Sequence, residues 1–187
     1  MGPVHVRALN PIPFLQKTNT MQTLAPHAPL SRHEAEDFLY RQAEFIDTRD
    51  YTSWLDLFTP EASYWIPARP GDTDPKTQLS FLFDDLPSMA ARCERLLDHG
   101  TGGQQPITRS SHVVGNVRIV GAHGDGSTVV RSRFHVTQFR RDAFKYYAGS
   151  YTHHLVASGD GGWRIRFQRV DLIDCDGIHD AILQVYL

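Results

Sequence analysis

The stretch from Ser31 to Pro67, SRHEAEDFLYRQAEFIDTRDYTSWLDLFTPEASYWIP, constrains the fold more than any other part of the chain. Ala35, Phe38, Leu39, Phe45 and Ile46 recur at helical spacing and leave Glu34, Asp37, Arg41 and Glu44 on the wet side. Ser31 is placed as an N-cap, and Glu34, three residues later, completes a capping box. Asp50 can cap a short second helix whose Trp54, Leu55 and Phe58 form the buried stripe, with Pro60 expected to end it. A strand, Ser63–Ala68, follows, in which Tyr64 and Ile66 alternate with Trp65. Each helix has one apolar face and cannot stand alone. The unit needs a curved sheet to close on.

The rest of the chain supplies one. Arg69–Ser80 reads as a loop by its Pro, Gly and Asp content. A third helix is capped by Asp84 or Asp85, carries Pro87 near its first turn, and buries Met89, Ala90, Cys93, Leu96 and Leu97. It is expected to stop near His99-Gly100, with Thr101–Pro106 a turn or mobile loop. From Ile107 the pattern turns strand-like: Ser111–Val120 with Gly115 as a bulge, Val129–Arg140, Phe144–Ala157 with Gly149 as a bend, and Trp163–Ile173. His123–Ser127, Arg141-Asp142 and Ser158–Gly162 are the turns between them. In the last strand Trp163, Ile165 and Phe167 are assigned to one face and Arg164, Arg166 and Gln168 to the other. Helices and strands are segregated, so the fold class is α+β: N-terminal helices packed in the concavity of a strongly curved, mainly antiparallel sheet. Residues 31–187 form a single domain. Residues 1–30 are Pro-rich and read as an extended or disordered arm without the apolar core of a secretory signal.

Charge and cysteine content exclude several functions. With 19 basic and 21 acidic residues the net charge is −2, which argues against a nucleic-acid partner. No apolar run approaches the roughly 20 residues needed to span a bilayer. Cys93 and Cys175 are far apart and in no metal-binding spacing, as expected of reduced thiols in a cytoplasmic protein.

Five stretches, in order, carry a resemblance. They are Glu44-Phe45-Ile46-Asp47 with Arg49, and Trp54-Leu55 through Tyr64-Trp65-Ile66-Pro67. Next come Arg109-Ser110-Ser111-His112-Val113-Val114 with Asn116-Val117, and Tyr147-Ala148-Gly149. The last is Arg169-Val170-Asp171-Leu172-Ile173-Asp174. The chain from Ser31 onward thereby resembles the small (beta) subunit of bacterial aromatic-ring-hydroxylating dioxygenases, with the cone-shaped fold of nuclear transport factor two, scytalone dehydratase and ketosteroid isomerase. It departs from that pattern at Ser111, where the family often has Arg, and at His153-His154, where an acidic residue is common. The resemblance implies a non-catalytic, structural role in the terminal oxygenase of a multicomponent system that adds dioxygen to an aromatic ring. It implies a large alpha subunit carrying a Rieske iron–sulfur cluster and a mononuclear iron, an alpha3beta3 assembly, and NADH as the electron source through separate components.

A Rieske cluster needs two Cys and two His at close spacing, and neither Cys93 nor Cys175 has His at those offsets. For a mononuclear iron the candidates are His112, His135, His153, His154 and His179. Adjacent His153 and His154 point to opposite strand faces and cannot share one metal. Cone-fold isomerases place an Asp before a Pro on the strand after the second helix; here that place is Ile66, which takes no proton. Asp47, Asp50, His112 and Asp171 are the remaining acid–base candidates, with ordinary readings as a helix-end charge, an N-cap, a core histidine and a partner for Arg169. Arg131, Arg133 and His135 share one strand face, which is either a solvated outer face or a subunit interface. Tyr146, Tyr147 and Tyr151 are core or interface aromatics. The expectation is that no catalytic, cofactor-binding or metal residue lies on this chain. The alternatives are a free-standing cone-fold dehydratase or isomerase acting on a small apolar ligand, which requires a closed pocket around an acid–base pair, and a ligand-binding module with an open pocket.

Overall fold

In a computed structural model that describes residues 28–98, 105–179 and 186–187, the helices come first. Helix α1 spans Arg32–Asp47, α2 Tyr51–Leu55 and α3 Leu86–Leu97. The strands are β1 (Phe58–Pro67), β2 (Ser80–Asp85), β3 (Arg109–Ala122), β4 (Thr128–Arg140), β5 (Ala143–Ala157) and β6 (Trp163–Leu172). They form one six-stranded sheet in the order β2-β1-β6-β5-β4-β3, antiparallel except where β1 runs parallel to β6. This is the expected α+β arrangement. The arm up to residue 27, the stop at His99-Gly100 and the loop through residue 104 lie outside the described residues; Leu30, at the end of the expected arm, is buried.

Local chemistry explains the helix ends. Ser31 accepts from the Glu34 amide at 3.2 Å while the Glu34 carboxylate accepts from the Ser31 amide at 2.8 Å, a complete capping box. Asp50 caps α2 through the Ser53 amide and Asp85 caps α3 through the Ser88 amide. Between α1 and α2 the chain reverses through Arg49 at φ 62°, a conformation that usually selects glycine.

Four expectations are corrected. Pro60 does not end a helix: β1 begins at Phe58, before the expected Ser63, and Pro60 lies inside it. Pairing of β1 with β6 jumps from Phe58 to Ser63, and pairing with β2 starts only at Ser63, so neither neighbour asks Pro60 for an amide hydrogen. Ser80, expected to close the loop, instead begins an edge strand, Ser80–Asp85, that runs into the Asp85 cap of α3; it buries Leu82 and Asp84 and leaves Phe81 and Phe83 exposed. Leu97 is exposed, so α3 buries Met89, Cys93 and Leu96 without it. In β6 a register shift opposite His154 and Leu155 makes Arg166 an extra residue and reverses the alternation. Ile165, Gln168, Val170 and Leu172 consequently face the core, and Arg166 and Phe167 do not.

The sheet curves at identifiable points. Gly115 marks a bulge in β3, with Asn116 at φ 54°. At Gly149 an added Cβ would sit 2.1 Å from the Asp171 carbonyl oxygen and 2.9 Å from the Phe134 ring, so β5 and β6 approach more closely there than any side chain allows. The concave face and the helices share one core. Trp54 contacts Phe58, Tyr64 and Tyr186 at ring separations of 4.9, 6.2 and 4.5 Å, and Phe134 stacks on Tyr151 at 4.2 Å. No helix among the described residues is long and apolar enough to cross a membrane.

Candidate functional site

The ionisable pair nearest the cone interior is Asp47 with His112. Asp47 ends α1 and His112 lies four residues into β3, 65 positions later in the chain. The Asp47 carboxylate accepts from the Ser110 hydroxyl at 2.8 Å and from the His112 backbone amide at 2.7 Å, and His112 Nδ1 lies 2.6 Å from its Oδ1. Burial works against ionisation of Asp47, but the bonds and charge of His112, with help from Ser110, hold its pKa below the ordinary carboxylate value. The sequence named both residues without pairing them.

His112 is 1% exposed at its side chain, and its Nε2 has no hydrogen-bond partner among the described residues. It borders a cavity lined also by Leu39, Gln42, Ile46, Tyr151 and Gln168, whose volume is about 10 Å³. That is room for one water at most and not for an organic substrate, which needs hundreds of cubic ångströms. Side chains fill the surrounding interior, including a buried pair the sequence gave no sign of, in which the Gln42 amide donates to Gln168 Oε1 at 2.6 Å. Among the described residues, the dyad has acid–base groups and no room beside it for a substrate.

The remaining candidates are scattered. Asp50 is an N-cap. Asp171 binds Arg169 through both carboxylate oxygens at 2.6 to 2.9 Å, while the guanidinium lies over the Trp65 ring at 4.5 Å. His153 and His154 do face opposite ways: His153 is fully buried, and His154 lies on the outer face. Burial pushes the His153 pKa down to about 3 against a weaker pull from Gln168, and neither ring nitrogen reaches hydrogen-bond geometry. His179 Nε2 meets the Asp174 carbonyl at 2.9 Å, with its ring 4.9 Å from Phe81. Its neighbour Asp180 lies outside the described residues. Tyr151 is core, Tyr147 is half-buried and Tyr146 is 72% exposed.

Cys93 and Cys175 are free, buried and on different elements. Burial pushes the Cys93 thiol up to about 12 and raises that of Cys175 as well, which opposes the thiolate a cluster would require. The described residues do not fit a Rieske centre. The outer face of the sheet, by contrast, forms an open groove of about 1170 Å³ lined by Trp65, Arg131, Arg133, His154, Arg169 and Asp171. Arg131, Arg133 and His135 share that face as expected, whereas Arg164, Arg166 and Gln168 do not share one, because the β6 bulge turns Gln168 inward.

The motifs noted in the sequence turn out to be packing partners. Glu44-Phe45-Ile46-Asp47 meets Ser110 and His112, and Tyr147-Ala148-Gly149 lies against Asp171. Residues 41–176 match the family model described as ring hydroxylating beta subunit. The small oxygenase component of the p-cumate 2,3-dioxygenase system of Pseudomonas putida is 33% identical over 138 residues, covering 73% of this chain and 76% of that one. The toluate 1,2-dioxygenase beta subunit of Pseudomonas putida is 27% identical over 126 residues, covering 65% and 77%. Among solved structures, the beta subunit of benzoate 1,2-dioxygenase from Burkholderia mallei shares the fold at TM-score 0.64 and 24% identity, over 82% of this chain and 98% of that one. A chain of naphthalene 1,2-dioxygenase does so at TM-score 0.73 and 19% identity, over 83% and 85%. With interlocking motifs, the same cone and a family match across most of its length, the chain belongs to the ring hydroxylating beta subunit family.

Proposed function

We propose that this chain is the structural beta subunit of the terminal oxygenase of an aromatic-ring dihydroxylating dioxygenase in aromatic-compound catabolism, and that no residue of it takes part in the chemistry. The observation that carries the second half is the filled cone, where the Asp47–His112 pair borders a cavity of about 10 Å³. The family membership supports the first half. On this reading a large alpha subunit holds the Rieske cluster and the mononuclear iron, NADH supplies electrons through separate components, and the assembly is an alpha3beta3 hexamer in the cytoplasm. Neither nucleic acid nor membrane is a partner. The outer groove with Arg131 and Arg133 is the surface assigned to neighbouring subunits, where guanidinium groups pair with carboxylates in two-pronged geometry.

The test is co-expression with a Rieske-type large subunit, followed by native mass measurement. The expected product is a stable complex containing equal numbers of the two chains. A chain that never associates with such a partner would overturn the proposal.

A further inference from the structure

Three side chains converge on the outer face, where His123 and His154 also line the groove. His123 and Asp125 sit on the β3–β4 turn, and His154 on β5, whose backbone passes beside that turn. One ring nitrogen from each histidine and one carboxylate oxygen of Asp125 all lie within 4.8 Å of one another. The two imidazole rings are 4.5 Å apart, and His123 Nδ1 is 3.1 Å from Asp125 Oδ1. We propose that His123, Asp125 and His154 form a binding site for a divalent transition cation, zinc by its donor set, that ties the β3–β4 turn to β5.

Chemistry and rigidity both support the site. Two imidazoles and one carboxylate are a donor set for borderline cations, and they leave a fourth position of the tetrahedron for water. Bound zinc holds donors about 2.0 to 2.2 Å from itself and so roughly 3.4 Å from one another. The His123–Asp125 pair already has that spacing, at 3.1 Å, and the wider pairs, within 4.8 Å, must close to it. That is a contraction which side-chain rotation of the exposed His123 can supply. The supports are fixed. The turn is closed by backbone bonds from His123 to the Ser127 carbonyl at 2.8 Å and from Gly126 to the His123 carbonyl at 3.0 Å. Asp125 Oδ1 is oriented by the Ser127 amide and hydroxyl at 2.9 and 2.6 Å. His154 is paired in the sheet on both sides, with its ring edge-on to Phe167 at 5.2 Å. Arg166 is the neighbouring cation. It donates to the Asp125 carbonyl at 3.0 Å and lies 3.6 Å from Oδ2, the carboxylate oxygen other than the one that His123 meets. Such outer contacts orient metal ligands.

The role of the site is to staple the sheet. It was missed in the sequence because His123 belongs to a turn and His154 to a strand position 31 residues later, so no spacing links them.

The experiment uses the full chain, purified without a polyhistidine tag and stripped by chelator. Zinc and, separately, cobalt are titrated calorimetrically, with the visible absorption of bound cobalt as a second readout. The expected result is one cation per chain, bound at least tenfold more weakly by His123→Ala and by His154→Ala, with a zinc-dependent rise in Tm lost in both variants. His135→Ala, on the same face but outside the cluster, should bind as the unaltered chain does. Circular dichroism confirms that these surface variants fold. Absence of uptake, or affinity unchanged in the His123→Ala/His154→Ala double variant, overturns the proposal. So does an equal loss in His135→Ala.

Discussion

Replacing Asp47 separates a structural from a catalytic reading of the Asp47–His112 pair. In Asp47→Ala the Ser110 hydroxyl, the His112 amide and His112 Nδ1 all lose their acceptor. Hydrogen bonds to a charged group contribute about 1.5–3 kcal/mol each, but neighbours in one network are not additive. Asp47 is also 24% exposed at its side chain, which weakens each bond. His112 cannot turn to water, so it is left with neither ring nitrogen partnered. The expected cost is about 3–5 kcal/mol, the range for stranding one member of a buried charged pair. For a domain of this size that is a fall in Tm of roughly 6–20 °C. Asp47→Asn keeps one acceptor oxygen and should lose about half as much. The depressed Asp47 pKa gives the pH signature. Its contribution is complete above the unfolded value near 4, is lost as pH falls through the lower folded value, and is absent from both variants. Thermal and urea unfolding between pH 3 and 8 read all three effects. A loss under about 1 kcal/mol in Asp47→Ala, or a fully stable variant whose assembled oxygenase has lost turnover, would refute the reasoning.

Further outcomes follow from the same packing. Gly149→Ala forces a methyl against the Asp171 carbonyl and should cost about 3 kcal/mol or more, seen as a lower urea midpoint; an unchanged midpoint would deny the close approach. His153→Leu removes a buried ring with unpartnered nitrogens and should leave stability at pH 7 unchanged or slightly higher. Because burial lowers the His153 pKa to about 3, the unfolded chain takes up the proton first. Stability should therefore decline as pH falls below about 6.5, on the order of 1 kcal/mol per pH unit, and His153→Leu should flatten that slope in unfolding measured from pH 7 to 4. Arg169→Lys keeps the charge but loses the two-pronged grip on Asp171, and it should weaken assembly with the large subunit more than it lowers the Tm of the free chain.

What the sequence disclosed was local chemistry. The Ser31–Glu34 box, the Asp50 cap, the hairpin turns and the Gly149 bend were each legible, because their signals lie within a few residues of their effects. What it hid depended on neighbours. Pro60 reads as a helix stop unless the partner strands are known to skip it. Asp84 points inward beside Leu82 while Phe81 and Phe83 point out, against hydropathy, because Asp84 accepts from Arg92 at 2.9 Å and from Tyr186 at 2.8 Å. One bulge at Arg166 reversed the faces of the last strand and sent Gln168 into the core to meet Gln42. The Asp47–His112 pair and the His123–Asp125–His154 cluster were invisible for the same reason. Their members were present in the sequence, and only the fold brings them together.

On the proposed function, this chain builds an oxygenase without performing its chemistry. Oxygen uptake dependent on an aromatic substrate, measured for the purified chain alone, for the large subunit alone and for the assembled pair with NADH and its electron-transfer components, tests it most directly. Uptake is expected from the assembled pair and not from this chain alone. Substrate-dependent oxygen consumption by the chain alone would contradict it.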